Sequence, residues 1–158
     1  KGTEGAKTTE PSEDYVVPFG KARVVQEANP EAVKRGESCV VITYGRGVYW
    51  SEAAAKSFPG RVEILDLRSI QPVDAEAIFA ATKRHGKVVV VTEEPRGSSF
   101  GQGIAGRVVD DCFEYLDAPV ITVGAVDTPA IPLNEILEAT YLPDEDKVRE
   151  ALERVLSF

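Results

Sequence analysis

Histidine is almost missing from this 158-residue chain, with His85 the only one, and Cys39 and Cys112 are the only thiols. Neither cysteine has a second ligand at metal-site spacing, which excludes the common metal motifs. No H-E-x-x-H or C-x-x-C string occurs, so the usual zinc-hydrolase and thiol-redox signatures are absent as well. Positive charge is in deficit: 18 Lys and Arg stand against 26 Asp and Glu, a formal net charge of −8. Phosphate backbones and anionic lipid surfaces would be repelled, so neither nucleic acid nor a membrane is an expected partner. No apolar run approaches the ~20 residues that span a bilayer, and the first residues lack the basic-then-apolar order of a signal peptide. A cytoplasmic protein is expected.

What is present describes a soluble globular domain. Hydrophobic residues make up 43% and charged residues 28%, far from the composition of disordered chains. A chain of this length buries roughly 70% of its unfolded surface, enough for a two-sided core. Cys39 lies in an apolar strand-like run and Cys112 late in a helical one, and both read as reduced and buried. His85 closes the run Lys83-Arg84-His85 before Gly86, the usual ending of a helix, and reads as a helix-terminal cation rather than a catalytic base.

Residues 1–14 are polar and without apolar periodicity, so they read as a flexible linker ahead of a domain over 15–158. A first short strand is expected at 20–26, followed by a polar excursion at 27–37 with no helix. Apolar strand-like runs then fall at 40–43, 62–67, 88–92 and 120–123, separated by helical stretches at 48–57, 73–85, 101–115 and 143–156. This alternation implies parallel strands covered on both faces. The last helix has the clearest signature. Pro143 suits its first position, Asp144, Glu145 and Asp146 complement its positive end, and Val148, Leu152, Val155 and Leu156 share a face.

Four constellations could carry chemistry. Gly101-Gln102-Gly103-Ile104-Ala105-Gly106 matches the G-x-G-x-x-G string of dinucleotide-binding turns, but residues 93–100 separate it from the preceding strand and the unit is not the first crossover. Small residues that let a helix approach its neighbour explain it better. Gly45-Arg46-Gly47 sits where a strand turns into a helix and could hold an anion on free N–H groups. It lacks the phosphate-loop signature, and a tight turn accounts for the same glycines. Glu93 and Glu94 stand just past the strand at 88–92, where open α/β sheets place ligands; a solvated turn, or an ion pair with Arg96, is the plainer reading. Tyr44, Tyr49 and Trp50 gather around the first crossover helix, a pattern of cores and subunit contacts.

Taken in order, four segments are more specific than any of these: Tyr15-Val16-Val17-Pro18-Phe19-Gly20-Lys21-Ala22; Val41-Ile42-Thr43-Tyr44-Gly45; Ile64-Leu65-Asp66-Leu67-Arg68-Ser69-Ile70-Gln71-Pro72-Val73-Asp74; and Val90-Val91-Thr92-Glu93-Glu94-Pro95-Arg96 followed by Phe100-Gly101. Asp117-Ala118-Pro119-Val120, Asp127-Thr128-Pro129 and Tyr141-Leu142-Pro143-Asp144 continue the pattern. Together they resemble the C-terminal domain of the β-type subunit of thiamine-diphosphate-dependent 2-oxo acid dehydrogenases, with the transketolase C-terminal fold. The chain departs from that family at Ala130-Ile131-Pro132, where an aromatic residue and proline are usual, and in the long stretches at 27–37 and 133–140.

The resemblance implies a three-layer α/β/α domain with a five-stranded mixed sheet whose first strand is antiparallel. It implies no catalytic, cofactor-binding or metal residue in this chain. Thiamine diphosphate and magnesium would be held by other domains of the intact enzyme, which decarboxylates pyruvate or a branched-chain 2-oxo acid. The implied task is assembly: contacts with the other domains or subunits, a homodimeric contact, and docking to a dihydrolipoyl acyltransferase core. The interface candidates are Tyr49, Trp50, Glu93, Glu94, Arg96, Phe100, Arg154 and Phe158. Two alternatives are the equivalent domain of transketolase or deoxyxylulose-phosphate synthase, and a free-standing small-ligand module using the Gly45 or Gly101 turn.

Overall fold

The computed structural model describes residues 10–158, so most of the expected linker at 1–14 lies outside the described residues. Five strands, β1 (Arg23–Gln26), β2 (Cys39–Thr43), β3 (Val62–Asp66), β4 (Val88–Pro95) and β5 (Ile121–Ala125), form one sheet in the order β1-β3-β2-β4-β5. β1 runs antiparallel to β3, and the other pairings are parallel. This is the expected mixed sheet.

The strands are apolar throughout because both faces are covered. Successive side chains go to opposite layers. Val41, Ile64, Val89, Val91 and Val123 pack with the helices α2 (Gly47–Ala55) and α6 (Glu145–Leu156). Val40, Ile42, Leu65, Val88 and Val90 pack with α3 (Ala75–His85) and α4 (Phe100–Cys112). Cys39 and Cys112 are buried free thiols, as expected. Burial pushes the Cys39 thiol up to about 12 and raises that of Cys112.

Several local expectations need correction. The polar excursion contains a short helix, α1 (Pro30–Lys34), started by the side chain of Asn29, which accepts from the Glu31 N–H at 2.8 Å, with Pro30 at its first position. A second unexpected helix, α5 (Glu135–Tyr141), is capped by Asn134. Both are a few residues long, so apolar periodicity has no room to announce them, and only the capping residue does. Pro143 precedes α6 instead of opening it: Asp144 is the cap and accepts from the Lys147 N–H at 2.9 Å. The expected face of that helix is buried at Val148, Leu152, Val155 and Leu156.

His85 also differs from expectation. The helix ends there as foreseen, with Gly86 in the left-handed conformation (φ 66°), but the imidazole is only 2% exposed. Its Nδ1 lies 2.7 Å from Ser38 Oγ. Its Nε2 lies 3.2 Å from Glu63 Oε2, without the alignment of a full hydrogen bond. Arg84 donates to the other Glu63 oxygen. Burial alone would raise the Glu63 carboxyl, and the His85 and Arg84 groups beside it more than reverse this, holding it below the usual carboxylate range. This cluster closes the amino end of the sheet.

Candidate functional site

The carboxyl end of the sheet gathers most of the residues singled out by sequence. β4 runs three residues beyond its expected end, to Pro95, so Glu93 and Glu94 are strand residues and only 96–99 separate the strand from α4. Alternation along the strand leaves Glu93 exposed and Glu94 half-buried. Glu94 accepts from the Tyr44 hydroxyl through one oxygen and from the Phe100 N–H, at 2.8 Å, through the other. The rings of Tyr44 and Phe100 meet edge to face, with centroids 6.0 Å apart. Ser99 caps the same helix, accepting from the Gln102 N–H at 3.0 Å. A carboxylate is well placed at a helix N-terminus, where free N–H groups and the helix dipole favour negative charge. Both oxygens of Glu94 are thus committed to joining β2, β4 and α4. The expected pairing of Glu93 or Glu94 with Arg96 is not formed: among the described residues Arg96 makes no ion pair.

The two glycine motifs resolve as packing devices. Gly47 has no room for a Cβ, which would collide with Thr43 Oγ1 and approach the Val91 carbonyl to 3.1 Å. Arg46 lies over the Trp50 ring, 5.3 Å from its centroid, which gives the cation a local partner. In the second motif only Gly101 is sterically required, since a Cβ there would come within 2.5 Å of Thr92 Cγ2. Gly103 and Gly106 face open space, so close helix approach explains one glycine of three.

Ser98, between β4 and α4, holds a positive φ of 57°, a strained conformation for a residue with a side chain. Its neighbour Gly97 donates its N–H to Asp127 Oδ1 at 2.8 Å. The other candidates lie on either side of β5. Arg96 and Arg154 border a cleft of about 280 Å³ that reaches from β5 to α6. Phe158, 61% exposed, lines a larger, apolar cleft of about 660 Å³ between α4 and β5, with Val109, Phe113 and Val120. Tyr49 is partly exposed on α2, while Trp50 packs against the core. Sequence reasoning overlooked a further set of exposed apolar side chains, Ile131, Leu133, Ile136 and Leu137, and the exposed Val16 and Phe19 ahead of β1. Isolated apolar residues in a Pro-rich, irregular stretch were the signal for them. Large apolar side chains left exposed mark interaction sites where they join into one patch.

No three His, Cys, Asp or Glu side chains come together to hold a metal ion among the described residues. The acids of the carboxyl end are either engaged, as Glu94 and Asp127 are, or isolated on the surface, as Glu93 is. This donor set does not fit a magnesium–diphosphate site. No helix among the described residues is long and apolar enough to cross a membrane.

The family described as "Transketolase, C-terminal domain" matches residues 28–148. The chain belongs to that family. Its segments from Ala28 to Val148 therefore carry the family fold, from α1 into the first turn of α6. Among curated relatives, the 2-oxoisovalerate dehydrogenase subunit beta of Bacillus subtilis (strain 168) is 34% identical over 94% of this chain and 44% of its own length. The pyruvate dehydrogenase E1 component subunit beta of Rhizobium meliloti (strain 1021) is 34% identical over 90% of this chain and 30% of its own. The mitochondrial counterpart of the latter in Caenorhabditis elegans is 36% identical, over 93% and 40%. The chain thus spans less than half the length of these relatives. A solved split-gene transketolase, an inactive beta4 tetramer, superposes with a TM-score of 0.71 at 21% identity, covering 92% of this chain and 44% of that one. That likeness carries the fold.

Proposed function

We propose that residues 15–158 are the C-terminal assembly domain of the β-type subunit of a 2-oxo acid dehydrogenase acting on pyruvate or a branched-chain 2-oxo acid in the cytoplasm. One observation carries the reading: identity of 34% extends over 94% of the chain to a branched-chain-type beta subunit. The carboxyl end supports it. Glu94 and Asp127 hold the fold together there, and the exposed residues around them include Tyr49, Ile70 and Val126, the apolar and aromatic types found in interface cores. Thiamine diphosphate and magnesium belong, on this reading, to the other domains of the enzyme, where the cofactor supplies the electron sink for decarboxylation.

The domain's own residues then bind partners. Tyr49, Trp50 and Phe100 with Glu93, Glu94 and Arg96 form the contact toward the other domains or a second β-type subunit, and Arg154 and Phe158 form the docking surface for the dihydrolipoyl acyltransferase. The test is reconstitution of the dehydrogenase from its full-length subunits, with and without residues 15–158, followed by sedimentation with the acyltransferase. Loss of co-sedimentation without the domain supports the reading, and unchanged co-sedimentation overturns it.

A further inference from the structure

The open side of β5 is the place where the molecule has left most unfinished. β5 pairs with β4 alone and ends the sheet. Among the described residues, no hydrogen bond outside the sheet uses the backbone of residues 121–124. An edge strand with free N–H and C=O groups is a template for another strand unless it is covered or charged against pairing. Clefts flank this edge on both faces. On the α4 side lies the apolar cleft of about 660 Å³ with Val109, Phe113 and Phe158. On the α6 side lies the cleft of about 280 Å³ bordered by Arg96, Lys147 and Arg154, with Glu150 the only acid in its wall. It continues along 124–127, where Asp127 is already held by the Gly97 N–H. Lys147 donates to the Leu142 carbonyl at 2.6 Å, a neutral acceptor. Neither Arg96 nor Arg154 has an ion-pair partner among the described residues. In a chain with eight more acids than bases, such a local excess of cations is distinctive.

We propose that the β5 edge binds an extended segment of a partner protein in which acidic and apolar residues alternate. Side chains of an added strand point alternately to the two faces of the sheet, as those of β5 do, with Ile121 and Val123 on the α6 side and Val120 on the α4 side. Every second residue of the guest would therefore meet Arg96 and Arg154, and the residues between would enter the apolar cleft. Main-chain hydrogen bonds would supply affinity and the two clefts specificity. A second copy of this chain is the poorer occupant, because pairing β5 with β5 sets Arg96 and Arg154 against their own counterparts, and like charges across a pair destabilise it. The edge shares Arg96, Arg154 and Phe158 with the contacts proposed above, but strand addition is read on this chain alone, so it can fail while the assembly reading stands, and the reverse.

The test titrates the 158-residue chain against a fluorescein-labelled peptide of four Val-Glu repeats, read by anisotropy, with chemical-shift mapping of the β5 amides. The expected result is saturable binding that perturbs residues 121–125 and weakens with salt, with affinity reduced at least tenfold in the Arg96→Glu, Arg154→Glu double variant. The same peptide with alternate backbone nitrogens methylated, which keeps every side chain and removes main-chain donors, should not bind. Equal binding of the methylated peptide, or of a peptide of four valines followed by four glutamates, overturns strand addition. So does unchanged affinity in the double variant, or no saturable binding up to ~1 mM, the weak end of specific association. A concentration-dependent dimer in sedimentation that the double variant abolishes assigns the edge to a second copy instead and overturns the proposal too.

Discussion

The two ends of the sheet spend their polar groups in opposite ways. At the amino end Ser38, Glu63 and His85 are all less than 5% exposed and face one another. At the carboxyl end Glu93 and Arg96 point to solvent, and apolar side chains lie exposed nearby. A buried polar group without a partner costs free energy, so an end that is dry must be internally matched. An end left wet and partly apolar is free to be matched by something else. The comparison separates residues that hold the fold from those available to a partner, and it does so more sharply than residue type could: a lone histidine belongs to the first class here and a terminal phenylalanine to the second.

The largest expected effect sets the scale. Leu65, 3% exposed within β3, should cost ~2–5 kcal/mol on Leu65→Ala, through lost apolar transfer and the cavity left behind. A urea titration showing less than ~1 kcal/mol would place β3 outside the core. Next comes the amino end. Glu63→Ala leaves His85 buried without its carboxylate and should cost ~1–3 kcal/mol. The wild type should also show an acid-dependent loss that this variant lacks. Because the folded state holds Glu63 below its ordinary value of about 4.3, the unfolded chain binds more protons in the acid range. The contribution is therefore full above that value and disappears as pH falls through the depressed folded value. Denaturation midpoints from pH 7 down to about pH 3 check the sign, and identical acid profiles would sink the assignment.

The carboxyl end should respond more mildly in stability. Glu94→Gln keeps the shape but weakens the cap on α4 and the Tyr44 contact, with an expected loss of ~0.5–1.5 kcal/mol by thermal or chemical denaturation. A loss as large as that for Leu65 would show that this end is as closed as the other. The smallest stability effect is expected from deleting Ser157 and Phe158, within ~0.5 kcal/mol. On the proposed function, the same deletion in the assembled parent enzyme should weaken binding of the acyltransferase's binding domain by more than tenfold, or ~1.4 kcal/mol, measured by calorimetry. Large destabilisation with unchanged binding would place Phe158 among the residues that hold the fold.

Strands β2 to β5 and the four longer helices were legible because their signals are local. Valine-rich runs such as 88–91 can satisfy a covered sheet, and the face of α6 repeats at helical spacing. The two short helices were legible only through their capping asparagines, Asn29 and Asn134, which are equally at home in turns. Of the site, the glycine turns were correctly read as turns at Gly45–Gly47, where Gly45 takes a positive φ of 58° and Gly47 lies against Thr43 of the strand the chain has just left. Gly103 and Gly106 were not, because whether a helix face meets a neighbour is not written in its own residues.

Composition, apolar periodicity and the ordered segments were sufficient for the covered α/β sheet and the family, since each depends on neighbours a few residues apart or on the whole pattern of the chain. Partnership required the tertiary structure. Ser38, just before β2, meets Glu63 of β3 and His85 of α3, and Tyr44, just after β2, meets Glu94 of β4 and Phe100 of α4, across up to 56 positions. Only a closed fold sets such distances, and with them whether a charge is buried and matched or left at an open edge.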